Sequence, residues 1–281
     1  MTNYNDIKDD DVRIIGDHAT GPKRSVVRYS LMALCLLLLV LALLFFVFKG
    51  KNSRKTSDIP VAEMATFSNS SASLIEYDTT VNDISVRILQ PRDMTPELYV
   101  GEMLPDMDSN VHLAVQAAFI RADNDEIAGS FIYKGEQLSR GHSTLGFCAI
   151  IDGEMSIGNA KTTSLFEEAA ENEGYFFRQK AMVDGGKAIH EQYGHKNGPT
   201  KSLRKALCYK DGQYDVVMSD SPVVLNDFMD CLVALGYEKA IGLSGSESFG
   251  WAKDMDGNVS YWGKKYNIAP PYLNYLVWKK K

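Results

Sequence analysis

The chain has 281 residues, 45% of them hydrophobic and 23% charged, which is the composition of a globular protein with room for one large domain or two small ones. Its formal net charge is −6, and beyond residue 55 acidic residues outnumber basic ones by 31 to 21. That balance lacks the basic footprint of nucleic-acid binding and excludes it as an expected partner. Four cysteines, Cys35, Cys148, Cys208 and Cys231, are too few and too scattered for a zinc framework or a disulfide scaffold.

Residues 1–30 are polar, with Asp9, Asp10 and Asp11 in succession, and read as a disordered cytoplasmic tail. Residues 31–48, LMALCLLLLVLALLFFVF, carry no charge and at the helical rise would extend ~27 Å, close to a bilayer core, so a single transmembrane helix is expected there. A cleaved signal peptide fits less well, because a long polar segment precedes the run and no small-x-small site follows it. Lys23, Arg24 and Arg28 face Lys49, Lys51, Arg54 and Lys55 across the run, so charge does not set the orientation. A short tail inside and an extracytoplasmic C-terminal domain is the expected arrangement, with the protein in the cell membrane. Residues 49–73, rich in Ser, Lys and Thr, read as a stalk, and residues 74–281 as the folded domain.

Within that domain Asp152-Gly153, Asp184-Gly185, Asp211-Gly212 and Asp256-Gly257 each separate apolar or aromatic runs, the pattern of hairpin turns. Pairing outward from Asp211-Gly212 sets Tyr209 opposite Tyr214 and Leu207 opposite Val216. Around Asp152-Gly153 the same exercise puts Cys148, Ile150, Met155 and Ile157 on one face, so Cys148 belongs to a core. Two helices are expected between the strands. Ser164 and Glu167 form a capping-box pattern closed by Gly174, and Leu225, Phe228, Leu232 and Leu235 fall at helical spacing, with Asn226 as cap and Gly236 as stop. The second helix leads into the strand KAIGL and the loop LSGSESFGW, whose small residues allow close backbone approach. The expected fold class is α+β: a mixed, mostly antiparallel sheet with a few packed helices, preceded by the transmembrane helix.

This order of elements, a hairpin after LRKAL, a helix ending in Leu235-Gly236, the strand KAIGL and a small-residue loop, resembles the phosphodiester glycosidase family over roughly residues 110–278. AVQAAFIRADNDEIAGSF sits where that family has an Asn-Gly-Gly-Phe-Phe segment, RQKAMVDGGK where it has a strand and turn, and NYLVW where it has its closing strand. By this resemblance the family's arginine falls on Arg204. Its Leu-Asp-Gly-Gly-x-Ser loop falls on residues 243–248, with Ser244 in the place of the aspartate, Gly245 and Ser246 in those of the glycines, and Ser248 at the serine. Gln116 stands for the asparagine of the earlier segment, and Ala117 and Ala118 for its glycines.

The resemblance implies hydrolysis of a sugar-1-phosphodiester on envelope or extracellular glycans. Arg204 would hold the phosphate through its planar fork, and Glu247, three residues past the missing aspartate, would face the oxocarbenium-like carbon. Gln116, Ser244, Gly245, Ser246, Ser248 and Trp251 would line the sugar phosphate. The alternative is a catalytically inactive module that binds a sugar phosphate or glycan with the same fold. No metal and no other cofactor is expected, since His190 and His195 in HEQYGH miss the zinc-protease spacing by one residue. Asp254 and Asp256 read as turn residues, and His142 beside Arg140 as a solvated loop, with contact to a phosphate the alternative. Of the C-terminal aromatics Tyr261, Trp262, Tyr266, Tyr272 and Trp278, most are expected in packing, while Trp251 and Trp262, flanking the glycine-serine loop, are the two kept as candidates to stack on a sugar ring.

Overall fold

The computed structural model describes residues 72–141, 144–191 and 199–280. Tight turns set its architecture. At Asp152-Gly153 and Asp211-Gly212 both residues take positive φ, 52° and 79° in the first pair and 50° and 77° in the second, as a two-residue hairpin requires. The registers follow the sequence: Tyr209 faces Tyr214, Leu207 faces Val216, Cys148 faces Ile157 and Ile150 faces Met155. The third turn is displaced by one residue, with Gly185 and Gly186 between Asp184 and Lys187. The fourth opens into a loop in which Asp254 Oδ1 accepts from the amides of Asp256 and Asn258 at 2.9 and 2.8 Å.

The result corrects the expected α+β class. The described residues form a mainly β protein, with nineteen strands against two helices of seven and ten residues, α1 (Leu165–Glu171) and α2 (Leu225–Ala234). The sheets are antiparallel rather than mixed, and the parallel contact among the described residues is an isolated bridge, Ser248 to Lys264. The strand that follows α2, Lys239–Gly242, does not make a parallel crossover; it pairs antiparallel with both Lys205–Lys210 and Ala181–Asp184. Short helices each cover part of a sheet face, which is why they do not build a layer of their own. Among the described residues no helix is long and apolar enough to cross a membrane; the expected tail, the apolar run 31–48 and nearly all of the stalk lie outside those residues.

Three large sheets and one two-stranded ladder make up the fold. The seven-stranded sheet runs in the order Ser73–Val81, Ile84–Arg92, Gln213–Ser219, Lys205–Lys210, Lys239–Gly242, Ala181–Asp184 and Lys187–Ala188. One five-stranded sheet places Val111–Gln116 between Gly250–Lys253 and Asn274–Lys280; the other centres on Tyr175–Gln179. All three sheets send side chains into one core: Leu89, Leu207 and Ile241 from the first, Leu113, Val115 and Leu276 from the second, Phe131, Cys148 and Phe177 from the third. At about 1.5–3 kcal/mol for each large apolar side chain buried, this shared core is what couples the sheets.

The outer faces are closed separately. Phe228, Met229 and Leu232 of α2 pack on Val86, Ile88 and Val217 of the seven-stranded sheet, while Ala169 of α1 packs on Ile132, Ala149 and Phe176. Gly236 ends α2 as expected, at φ 86°, with its amide on Val233 O and the Tyr237 amide on Leu232 O, a Schellman arrangement. The start of α2 differs: Val224 is the cap residue, and the Asn226 side chain instead exchanges two hydrogen bonds with the Glu191 backbone, at 2.9 and 3.0 Å. In α1 the Ser164 side chain makes no cap bond, and Thr163 Oγ1 accepts from the Leu165 amide.

Candidate functional site

The segments at 116–118, 203–205 and 243–248 meet at one edge of the shared core. The loop after Lys239–Gly242 is stitched to both neighbours: the Ser244 amide donates to Ala117 O, the Leu243 amide to Lys205 O and the Ser246 amide to Leu203 O, at 2.9, 3.0 and 2.9 Å. Ser246 takes φ 53° to make its turn, and a Cβ on Gly245 would lie 3.2 Å from Leu203 O. The small residues of the loop serve this close approach of backbones.

What fills the loop is Lys205. Lys205 is 4% exposed, and its ammonium donates to Ser248 Oγ, Ser248 O and Ser246 O at 2.7, 3.0 and 3.2 Å. No carboxylate among the described residues pairs with it, and burial pulls its pKa down from 10.5 to about 8. Ser248 Oγ in turn donates to Ser244 O at 2.7 Å. Lys205 was missed from the sequence because it adjoins Arg204, yet strand alternation carries the signal: Lys205, Leu207 and Tyr209 share one face, and Leu207 is core.

The expected site residues are thus drawn together only in part. Glu247 points outward, with a side chain 59% exposed and paired with Lys264 Nζ at 2.7 Å. Trp251 is fully buried, its Nε1 donating to Met103 O at 2.9 Å, and it packs with Phe249, Leu273 and Tyr275. Arg204 directs Nη2 to Thr200 O and Nε to Val223 O, at 2.9 and 3.4 Å. Gln116 is 1% exposed, and its Oε1 has no hydrogen-bond partner among the described residues. Ser244 and Ser248 are buried within the loop, Gly245 is half-buried and Ser246 is exposed.

A cleft of about 650 Å³ opens beside this junction, lined by Phe119, Glu126, Arg140, Gln179, Lys180 and Tyr272 among others. Phe119 and Tyr272 stand at 52% and 39% exposure, so both rings present apolar surface at the cleft. Arg140 has no acidic partner among the described residues, whereas Arg121, also on the wall, is held by Asp123 at 2.7 and 3.0 Å. Lys180 reaches back to the loop strand, its carbonyl accepting the Gly242 amide at 2.8 Å, and its ammonium pairs with Glu191. Burial first, and the nearby Arg204 guanidinium second, lower the Lys180 pKa. Glu126 is the carboxylate on the cleft wall, oriented by Asn124 Nδ2 at 3.0 Å. Buried Arg178 supports the wall by donating to the carbonyls of Thr144, Leu145, Ala160 and Lys161.

Among the described residues no group of three His, Cys, Asp or Glu side chains could hold a metal ion. His190 is exposed and pairs with Asp230 at 2.9 Å, while His142 and His195 lie outside the described residues. Cys148, Cys208 and Cys231 are free and buried.

No protein-family model matches the chain, and no curated protein matches it by sequence. Among solved structures, the catalytic domain of zebrafish N-acetylglucosamine-1-phosphodiester alpha-N-acetylglucosaminidase, auto-inhibited by its pro-peptide, is similar with a TM-score of 0.56. The identity is 12%, over 76% of this chain and 85% of that one. A hypothetical protein from Synechocystis is similar with a TM-score of 0.52 and 10% identity, over 75% of this chain and 62% of that one. At such identities the likeness is one of fold alone.

Proposed function

We propose that this domain recognises a sugar phosphate, free or on a glycan, in the cleft between Phe119, Arg140, Lys180 and Tyr272, and that it does so without hydrolysis. One observation carries this reading: Arg140, which has no acidic partner among the described residues, shares a single cleft of about 650 Å³ with Lys180 and two exposed aromatic rings, a volume within the usual range for small-ligand sites. The rings suit the apolar face of a sugar, and the guanidinium of Arg140 suits two phosphate oxygens. The similarity in fold to a catalytic domain named for a sugar phosphodiester supports the same ligand class. Recognition is favoured over turnover because Glu247, the carboxylate expected to act, faces solvent and Lys264.

Hydrolysis is the second reading, and Glu126 is the observation in its favour, since a carboxylate on the cleft wall could serve an oxocarbenium-like centre. The test is a panel of sugar-1-phosphodiesters incubated with the full chain, beside Arg140→Ala and Glu126→Gln. Saturable binding lost in Arg140→Ala with no sugar released supports recognition. Sugar release abolished by Glu126→Gln overturns the non-hydrolytic reading.

A further inference from the structure

The seven-stranded sheet carries a second polar cavity, near the Asp211-Gly212 turn and about 17 Å along the strand from Lys205. It measures about 180 Å³ and is lined by Tyr77, Gln90, Arg92, Lys210, Asp215 and Tyr237, among others. Asp215 lies opposite Cys208 on the sheet face that α2 covers, and is 4% exposed. Its Oδ2 accepts from Gln90 Nε2 and from the Tyr237 hydroxyl, both at 2.9 Å. Its Oδ1 is buried and has no partner among the described residues. A buried carboxylate oxygen without a donor is costly, and native structures rarely keep one unless something binds it.

The rest of the lining narrows what that is. Arg92 is half-buried with no ion-pair partner among the described residues, and Lys210 donates one bond, to Leu235 O at 3.1 Å, with the rest of its donors unassigned. Burial raises the Asp215 pKa, and the hydrogen bonds from Gln90 and Tyr237 and then the positive charges of Arg92 and Lys210 oppose that rise in favour of the carboxylate. A metal cation at Oδ1 would be opposed by these two positive charges. An inorganic anion would satisfy them and leave Oδ1 bare, and a neutral polyol would leave Arg92 without its counter-charge. A ligand carrying a cationic donor and an anion a few ångströms apart answers both.

We propose that this cavity binds a compact zwitterion of the α-amino-acid class, its ammonium on Asp215 Oδ1 and its carboxylate between Arg92 and Lys210. Tyr77, 42% exposed, then flanks the ligand side chain.

The test is calorimetric titration of the full chain with each of the common free α-amino acids. Each ligand that binds is then compared with its ethyl ester, which lacks the anion, and its N-acetyl derivative, which lacks the cation. Saturable binding by at least one amino acid is expected, weakened about tenfold or more by either blocking group and by Asp215→Asn or Arg92→Gln. Arg92 lies at the rim, so Arg92→Gln keeps the test open if Asp215→Asn does not fold. Absence of saturable binding by every amino acid overturns the proposal, as does equal affinity for the ester, or binding unchanged in Arg92→Gln.

Discussion

Replacing Lys205 by Met tests how the loop at 243–248 is held. The buried ammonium has hydrogen bonds to Ser246 and Ser248 but no counter-ion among the described residues, and its pKa falls from 10.5 to about 8 because burial disfavours the charge. Between those two values the unfolded chain keeps the proton while the folded protein has released it. Stability therefore rises with pH through that window. Below about 8 the folded state carries the whole desolvation cost, and as pH climbs toward 10.5 the cost is relieved. At about 1.36 kcal/mol per pH unit the relief totals about 3 kcal/mol, of which about 2–3 kcal/mol falls between roughly pH 7 and pH 10. Urea unfolding of the wild type and of Lys205→Met across that range isolates the effect, because other titrating groups cancel in the difference. The wild type is expected to gain about 2–3 kcal/mol relative to the variant. A difference that stays level with pH would refute the buried, uncompensated ammonium.

Other perturbations bear on the same framework. Gly250→Ala would set a Cβ 2.6 Å from the Trp262 ring, so it is expected to cost about 1–3 kcal/mol and to alter the near-UV circular dichroism of that tryptophan; an unchanged spectrum would contradict the contact. Trp251→Ala is expected to cost about 3–5 kcal/mol in chemical denaturation, since the ring is core and not a sugar platform; a cost under about 1 kcal/mol would return it to the surface. Glu247→Gln removes an exposed pair with Lys264 and is expected to change stability by less than about 1 kcal/mol in the same assay.

Much of the strand pairing was legible because Asp-Gly encodes a turn directly. Two of the four such turns sit where the sequence puts them, with their registers. At Asp184 a second glycine, Gly186, let the turn slide by one residue. Further turns at Asn82-Asp83 and Lys134-Gly135 escaped notice, the latter because lysine seldom adopts positive φ. Both helices lie where the sequence puts them, but a helix followed by a strand does not fix the strand's direction, and Lys239–Gly242 pairs antiparallel on both sides.

The site was less legible. Segments at 116, 204 and 244 do meet, but which side chains face the opening depends on strand alternation and on contacts far apart in sequence. Trp251, in the strand Gly250–Lys253, turns into the core and packs in one cluster with Phe249, and Glu247 finds Lys264. Phe119 and Tyr272, 153 residues apart, share the cleft without any local signal that they would.

The most direct test of the central claim is isothermal titration of the full chain with glucose 1-phosphate, comparing the wild type, Arg140→Ala and Glu247→Gln. Saturable binding in the wild type and in Glu247→Gln, with a loss of about tenfold or more in Arg140→Ala, is the predicted result. Binding that survives in Arg140→Ala but fails in Glu247→Gln would place the ligand at the loop instead of the cleft and contradict the account.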